Sequence, residues 1–231
     1  MIHPVLTMWV AKTFLNWKDG ELSVDWIFGR QPVEHARNSA VETFLERSGF
    51  EWLLMVDNDM VPDQGITDIL DEAPAPCVIT PLSYRWASGS DLFSLTCGGY
   101  DEENRAISLR ENIKDGLNEV QWAGTGFLFI HREILLALHP PYFKNEQDSK
   151  TRKIVKGEDH DFCFRAIRAG FKIYADSRFS VGHSRTLDMR DLHIAFFNYG
   201  LRVASSVKKQ VAESGGDIRI YTRIPGGEEG R

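Results

Sequence analysis

The sequence predicts an α/β fold in which a mostly parallel central sheet is flanked by helices. Strand-like apolar runs alternate with amphipathic helical segments through the first part of the chain, as in βαβ units with right-handed crossovers. One run, Trp52–Val56, is apolar throughout and stops at Asp57-Asn58-Asp59, as a buried strand that ends in a turn does. Hydrophobic residues make up 42% of the chain and charged residues 26%, which is typical of a folded globular domain.

Local patterns predict the elements of the first part of the chain. Runs rich in Val, Trp, Ile and Phe predict strands, whereas apolar residues spaced by three and four predict helices. The predicted elements are strands Val5–Val10 and Val24–Phe28, a helix Val33–Ser48, a strand ending at Asp57, a short helix near Gly65–Glu72 and a strand Cys77–Pro81.

The segment Tyr84–Gln121 is polar and interrupted by glycines, and we expect a small irregular β insertion there. The elements predicted after it are a strand Thr125–Ile130, a helix Arg132–Leu138, a helix Glu158–Ala169, strands Lys172–Ala175 and Phe179–His183, and a helix Asp191–Ser214. The loop Pro140–Lys156 is long for a compact domain, which is typical of a functional segment such as a lid.

The charge and cysteine content exclude some classes of protein. A net charge of −6 argues against binding through nonspecific contacts with nucleic-acid phosphates. The three cysteines are far apart and form no CxxC pair, which favours a reducing compartment and argues against a zinc cluster. No apolar run is long enough to span a bilayer and no signal peptide is recognisable, so we predict a cytoplasmic protein.

Asp57 and Asp59 form the first candidate site. Ligands of open α/β sheets gather beyond the carboxyl ends of strands, and a spacing of two places both carboxylates on one side of an extended backbone. A metal-bound phosphate is the ligand expected at such a place. The alternative is an ordinary turn, because Asp and Asn start turns and Pro62-Asp63-Gln64-Gly65 follows.

A second acidic group, Glu158-Asp159-His160-Asp161, begins a predicted helix. Acids at a helix N-terminus complement the helix dipole, and Asp161 can pair with Arg165 one turn later. That explanation fits Asp159 poorly, because Asp159 lies near the apolar stripe, where a carboxylate is costly unless it lines a cleft or has a partner. Asp159 is therefore a candidate general base.

Three other features have both a structural and a functional interpretation. His183 is either a core histidine or, beside a pair of carboxylates, a ligand for Mn²⁺ or Mg²⁺. Arg37-Asn38 is either a solvated helix face or a fork-shaped cation directed at a phosphate or base. Gly124-Thr125-Gly126 lacks the lysine of a phosphate-binding loop but permits close approach of a ligand to the backbone.

In their order along the chain, these features resemble the motifs of GT-A fold glycosyltransferases, most of all the small family-2-like members. The motifs are Ala36-Arg37-Asn38, Asp57-Asn58-Asp59, Gly124-Thr125-Gly126-Phe127, Gly157-Glu158-Asp159 and His183, and they span Val33 to Ser184. The resemblance implies a GT-A (Rossmann-like) sheet. It also implies metal-dependent transfer of a sugar from a nucleotide-diphosphate donor to an acceptor hydroxyl.

The resemblance also implies the role of each residue. Asp59 and His183, with Asp57, correspond to the ligands of a divalent metal, Mn²⁺ or Mg²⁺. Asp159 corresponds to the base of inverting members, and Glu158, the other acid of the motif, is predicted to be catalytic together with it. The residues that correspond to the binding site of a UDP- or GDP-sugar donor are Arg37, Asn38, Asp57, Asn58, Gly124 and Gly126.

The predicted organisation is a single domain over residues 1–223, followed by a flexible tail at 224–231. Residues 1–83 are the predicted nucleotide-binding half, residues 84–190 the acceptor and catalytic half, and residues 191–214 a C-terminal helix. That helix serves core packing or a homodimer contact, with peripheral membrane contact as a third alternative. The composition does not identify the acceptor, which can be a saccharide, a lipid-linked glycan, a protein or a modified nucleic-acid base. Two alternative functions remain. One is a nucleotidyltransferase or metal phosphoesterase that uses the same acids, and the other is a carbohydrate-binding module in which the aromatic residues Trp86, Phe93, Tyr100 and Trp122 stack on sugars.

Overall fold

The computed structural model describes residues 4–17, 20–27, 32–86, 93–103, 105–109 and 113–184, together with positions 196, 197, 200 and 205. The chain divides into two compact units, one of residues 1–85 and 93–185 and the other of residues 86–92 and 186–231. All of the predicted site residues belong to the first unit. The predicted C-terminal helix Asp191–Ser214 lies outside the described residues except at those four positions, which are helical, and the predicted tail lies wholly outside them.

The first unit contains four α-helices and one 3₁₀ helix among its described residues. The helices are α1 (Pro4–Asn16), α2 (Val33–Glu46), α3 (Arg132–Ala137) and α4 (Glu158–Arg168), and the 3₁₀ helix is Ile66–Leu70. The strands are β1 (Trp52–Val56), β2 (Met60–Pro62), β3 (Cys77–Trp86), β4 (Phe93–Leu95), β5 (Cys97–Tyr100), β6 (Ala106–Ser108), β7 (Leu117–Val120), β8 (Trp122–Ala123), β9 (Phe127–His131), β10 (Glu146–Gln147), β11 (Ile154–Lys156) and β12 (Lys172–His183).

The central sheet has the order β1-β9-β3-β12-β2, with β4 paired to β3 and β7 paired to β12. Among the strand registers described, only β3 with β12 is parallel, whereas β9 pairs antiparallel with both β1 and β3. Strands β2 and β7 also pair antiparallel with β12. The α/β class with flanking helices is confirmed, but the expectation of a mostly parallel sheet is wrong. An antiparallel strand that is covered on both faces is as continuously apolar as a parallel one, so the sequence pattern could not separate the two.

The sheet has an apolar cluster on each face. On one face, α2, α3 and α4 contribute Val41, Phe44, Ile134, Leu135 and Phe162 to a cluster that includes Val78 and Leu128 of the sheet. On the other face, α1 and the 3₁₀ helix contribute Leu6, Trp9, Ile66 and Ile69, which pack on Ile79 and Phe127. Adjacent residues of one strand therefore enter opposite clusters, as the period of two requires.

Two predicted strands near the N-terminus are wrong. Val5–Val10 is part of helix α1, which buries Leu6 and Trp9 at a spacing of three, and the Trp9 indole N–H donates to the Asp63 carbonyl at 3.0 Å. The predicted strand Val24–Phe28 has no regular structure over its described residues 24–27. Val, Trp and Phe are frequent in strands, but packing against the sheet decides the conformation of so short a segment.

Three other segments differ in detail from the prediction. Strand β2 follows the acidic turn where only a turn was expected, and β12 is one strand, with a break in its register on β3 between Asp176 and Ser180. The loop 140–156 contains a two-stranded ribbon of β10 and β11. The predicted β insertion is confirmed, because β6, β5 and β8 form a separate three-stranded sheet.

None of the helices in the described part of the chain is both long and apolar enough to cross a membrane.

Candidate active site

The turn Asp57-Asn58-Asp59 connects β1 to β2 and lies beside the end of β12. The Asp57 N–H donates to the Gly126 carbonyl at 2.8 Å, and the Met60 N–H donates to the Asp57 carbonyl at 3.1 Å. Met60 is paired with His183 in the β2–β12 register, and the Ser184 N–H donates to the Asp59 carbonyl at 2.8 Å. The backbone therefore places Asp59 next to His183, although 124 residues separate them in the sequence.

Arg37 of α2 contacts two of the predicted acidic motifs at once. One guanidinium nitrogen donates to Asp57 Oδ2 at 3.3 Å, and the other donates to Glu158 Oε1. The Arg37 side chain is only 11% exposed and that of Glu158 only 15%. The Arg37 Nε is buried without a hydrogen-bond partner among the described residues. A fork-shaped cation suits this bridge because its N–H groups point to two separate carboxylates.

Asp59 and His183 form a pair with one oxygen and one nitrogen donor: the carboxylate suits a hard divalent cation, and the imidazole suits a transition metal ion. Asp59 Oδ2 lies 3.1 Å from His183 Nε2. Adjacent ligands of an octahedral ion such as Mg²⁺, with bonds of about 2.1 Å, are about 3 Å apart, so the pair fits such an ion. The described residues contain no group of three His, Cys, Asp or Glu side chains arranged to hold a metal. Two protein ligands suffice for an ion that completes its shell with water and substrate phosphates.

Asp57 has a different electrostatic environment from Asp59. Desolvation raises the pKa of the Asp57 carboxyl, the Asp59 carboxylate raises it further, and Arg37 and His183 oppose the increase. The net rise means that the surroundings of Asp57 disfavour its ionised form. A cation bound beside these carboxylates would reverse this preference, because an opposite charge nearby favours ionisation.

The first turn of α4 contains three acids with three different environments. Asp161 is buried and bonds to Arg165 Nε at 2.8 Å, as the i,i+4 spacing predicts. Glu158 is bound to Arg37, and its backbone N–H donates to Asn145 Oδ1 at 3.1 Å. Asp159 accepts the backbone N–H of His160 at 2.8 Å and has no cationic partner among the described residues. Asp159 is therefore the acid of this turn that is free to accept a proton.

The two glycines of Gly124-Thr125-Gly126 lie close to other parts of the same chain. A Cβ on Gly124 would lie 3.2 Å from Thr96 Cβ, and a Cβ on Gly126 would lie 2.1 Å from the end of the Met60 side chain and 3.6 Å from Asp57 Oδ2. Gly126 therefore leaves room for the acidic turn. A role of either glycine in donor binding stays a prediction. Thr125 Oγ1 is buried without a partner in the described structure.

Asn38 connects α2 to the segment that follows α3. Its amide N–H groups donate to the carbonyls of Glu34 and Phe143 at 2.8 and 2.7 Å, and its Oδ1 accepts the N–H groups of Tyr142 and Phe143 at 2.7 and 3.1 Å. These four bonds use the whole amide, so a role in donor binding stays a prediction that the contacts do not favour. Asn58 is exposed in the acidic turn.

A polar aromatic cluster next to Asp159 was not predicted as a unit. The Tyr100 hydroxyl and His160 Nδ1 are 2.8 Å apart, and the His160 ring lies 4.7 Å from the buried Trp122 ring at an interplanar angle of 31°. Burial lowers the pKa of His160 and raises the pKa of Tyr100 to about 12. Sequence spacing gives no signal for this cluster, because its members come from β5, β8 and α4.

The structure thus assembles Arg37, Asp57, Asp59, Glu158 and His183 through direct contacts, with Asp159 adjacent to Glu158 in the chain. Asn145, whose side chain receives the Glu158 N–H, is a site residue that sequence reasoning missed. Nothing in the composition of the loop 140–156 distinguishes Asn145 from the other polar residues around it.

No protein-family model and no curated protein matches the chain, whereas solved structures do. The crystal structure of A197 from STIV is 24% identical over 68% of this chain and 70% of that chain, with a TM-score of 0.47. A crystal structure of GalNAc-T7 with UDP, GalNAc and Mn²⁺ is 16% identical over 79% of this chain and 35% of that chain, also with a TM-score of 0.47. At scores below 0.5 both are similar to this chain in outline, and neither assigns residues or activity to it.

Proposed function

We propose that this protein is a metal-dependent glycosyltransferase of GT-A type that transfers a sugar from a nucleoside-diphosphate donor to an acceptor hydroxyl. The observation that carries the proposal is the contact of Arg37 with both Asp57 and Glu158, next to the contact of Asp59 with His183. Four segments far apart in the sequence meet through these contacts. An isolated acidic turn would not require such an arrangement.

Asp59 and His183 are the residues that would hold the divalent cation, with Asp57 nearby. A bound cation supplies positive charge for the diphosphate, whose negative charge increases as the glycosidic bond breaks. Arg37, which contacts Asp57, adds a fixed positive charge close to the turn. The chain itself therefore offers the donor a histidine, a guanidinium and two carboxylates in one place.

Asp159 is the base in this proposal. A carboxylate can accept the proton of the acceptor hydroxyl as the oxygen attacks the sugar carbon, while the transition state develops oxocarbenium character. Asp159 suits the role because its carboxylate is not bound by a cation in the described structure. Asp161 is excluded from it by burial and by its bonds to Arg165.

The test is a thermal-shift and turnover panel of UDP- and GDP-sugars, each with and without Mn²⁺ or Mg²⁺. Ligands that bind the folded state raise its melting temperature, so the wild type should respond to one donor only when the metal is present. Asp59→Ala and His183→Ala should abolish that response. Asp63→Ala is the matched control, because Asp63 is an exposed acid just beyond the same turn. A metal-independent response, or an undiminished one in Asp59→Ala, would contradict the proposal.

The same panel separates the alternative functions. A nucleotidyltransferase or phosphoesterase would turn over a nucleoside triphosphate or p-nitrophenyl phosphate instead of a nucleotide sugar. A carbohydrate-binding module would bind saccharides equally well after Asp59→Ala. Trp122 is only 3% exposed, so its ring cannot provide the sugar-stacking face that the module hypothesis requires of it.

A further inference from the structure

Glu158 and Asp159 are adjacent acids at the start of α4, and their environments differ in a way that assigns them different roles. We propose that Glu158 is a positioning residue, held by Arg37, and that this ionic bridge sets the place of the catalytic base Asp159. The inference rests on the proposed function and deepens it, because it divides two neighbouring carboxylates into one that reacts and one that positions.

The first argument concerns the contact with Arg37 that Glu158 would lose if it acted as the base. A carboxylate that accepts a proton needs a lone pair directed at the substrate, whereas Glu158 Oε1 is bound to the Arg37 guanidinium in a site where both side chains are almost buried. Separating such a pair leaves an uncompensated buried charge, which is strongly unfavourable. Asp159 has no corresponding contact to break.

The second argument concerns what the bridge connects. Arg37 also bonds to Asp57, and Asp57 is fixed to β9 through the Gly126 carbonyl. The backbone of Glu158 is fixed to Asn145. The start of α4 is therefore tied to the acidic turn through one guanidinium. Because Asp159 is the next residue, its distance from the donor side of the site depends on that tie.

The third argument concerns charge. Arg37 is a nearly buried cation between two carboxylates, and its Nε has no partner in the described structure, so the two carboxylates provide its stabilisation. Loss of either carboxylate leaves Arg37 with one anionic partner in place of two. The bridge is thus a single unit, and substitutions in it should have effects that do not add.

The experiment compares Glu158→Gln, Glu158→Ala and Asp159→Asn in release of nucleoside diphosphate from the donor that the wild type uses, measured with Mn²⁺ over a range of pH. Glutamine still offers an oxygen to Arg37, so we expect Glu158→Gln to retain kcat within about tenfold. Glu158→Ala should lose about 100-fold, as a displaced catalytic group does. Asp159→Asn should lose about 100-fold or more and should also lose the acid limb of the pH–rate profile.

The acid limb is decisive, because a purely structural residue would not move it. The inference predicts that Glu158→Gln keeps that limb. The inference is overturned if Glu158→Gln is as inactive as Glu158→Ala and lacks the acid limb. Glutamine can keep the contact with Arg37 but cannot accept a proton, so that result would identify Glu158 as the base. A wild type that releases no nucleoside diphosphate from any nucleotide sugar would contradict the proposed function instead.

A second measurement tests the bridge without any ligand. Arg37→Met and Glu158→Ala are combined, and the melting temperatures of the two single variants and the double variant are compared. The shift of the double variant should be clearly smaller than the sum of the single shifts, because both substitutions disrupt the same contact. Additive shifts would show that the bridge does not couple the two elements and would overturn the inference.

Discussion

The acidic turn after β1 and the acidic first turn of α4 have nearly the same composition but are held in different ways. In the turn after β1, Asp59 faces His183, and Asp57 shares Arg37 with Glu158. In α4, Asp161 is 7% exposed and is bound by Arg165 and approached by Lys156 at 3.8 Å. The α4 turn is thus stabilised by an ion pair within its own helix, through Arg165, and by one with α2, through Arg37.

This difference indicates how each group is used. A site that accepts a cation keeps carboxylates that are not fully neutralised. Burial is the main cause of the raised pKa of Asp57, and the Asp59 carboxylate raises it further, whereas Arg37 and His183 oppose the rise. The first turn of α4 holds the proposed base in place, and ion pairs already formed in the folded protein fix the acids beside that base. Asp159 is the exception within its turn, and three substitutions test the contrast.

The largest expected effect is that of Asp159→Asn. Loss of a general base lowers kcat by about 100- to 10,000-fold, and the isosteric amide should leave the fold intact. Steady-state turnover of the nucleotide sugar, together with the melting temperature, measures both quantities. The donor-dependent thermal shift should persist, because Asp159 lies outside the metal pair. A variant that loses donor binding and turnover equally would place Asp159 in the donor site instead.

Asp161→Ala should have the opposite profile. Breaking a buried ion pair costs about 3–5 kcal/mol, and we expect the lower end because Arg165 is partly exposed. A loss of about 3 kcal/mol corresponds to a fall of about 6–12 °C in melting temperature for a chain of this size. Calorimetry or urea denaturation measures the loss, and turnover per folded molecule should change little. A stable but inactive variant would contradict the structural role of Asp161.

The smallest expected effect concerns His160. Burial lowers the pKa of His160, because its ring contacts Tyr100 and Trp122. The positive charges of Arg85 and Lys156 lower this pKa further. The carboxylates of Asp159 and Glu158 oppose the change. Because the folded pKa lies below 6.5, the unfolded chain binds more protons, so the stability from neutral His160 is present above pH 6.5 and is lost as the pH falls below it.

His160→Gln should therefore reduce the fall in melting temperature between pH 7.5 and pH 5.5. The change should be a few degrees at most, since one pKa unit is about 1.4 kcal/mol and 1 kcal/mol shifts the melting temperature by about 2–4 °C. His35→Gln, at an exposed position of α2, is the matched histidine control. An equal fall in wild type and His160→Gln would show that His160 titrates as in the unfolded chain.

Sequence predictions succeed where the local pattern of residues is enough to determine the element. Helices α2 and α4 follow from apolar spacing and end signals, and they occur within two residues of the predicted bounds. Helix α1 was missed because its apolar residues are β-formers by composition, while its conformation comes from packing Leu6 and Trp9 against the sheet. Strand β2 was missed because three residues carry too little periodicity to be recognised.

The candidate site shows the same division. The pair Asp161–Arg165 is local, so its spacing alone predicted it. The contact of Arg37 with Glu158 joins residues 121 positions apart, and no local pattern encodes that pairing. The resemblance to GT-A glycosyltransferases suggested that the motifs share a site, but it did not predict that Arg37 binds the first acid of Glu158-Asp159.

The sequence alone determines the α/β class, the apolar run that ends at Asp57-Asn58-Asp59, and the residue types available for a site. These depend on composition and on short-range spacing, which fold topology does not alter. The direction of the strands, the pairing of Asp59 with His183 and the division of roles between Glu158 and Asp159 depend on how distant segments pack. Such long-range contacts form only when the helices pack on the two faces of the sheet and bury the two apolar clusters.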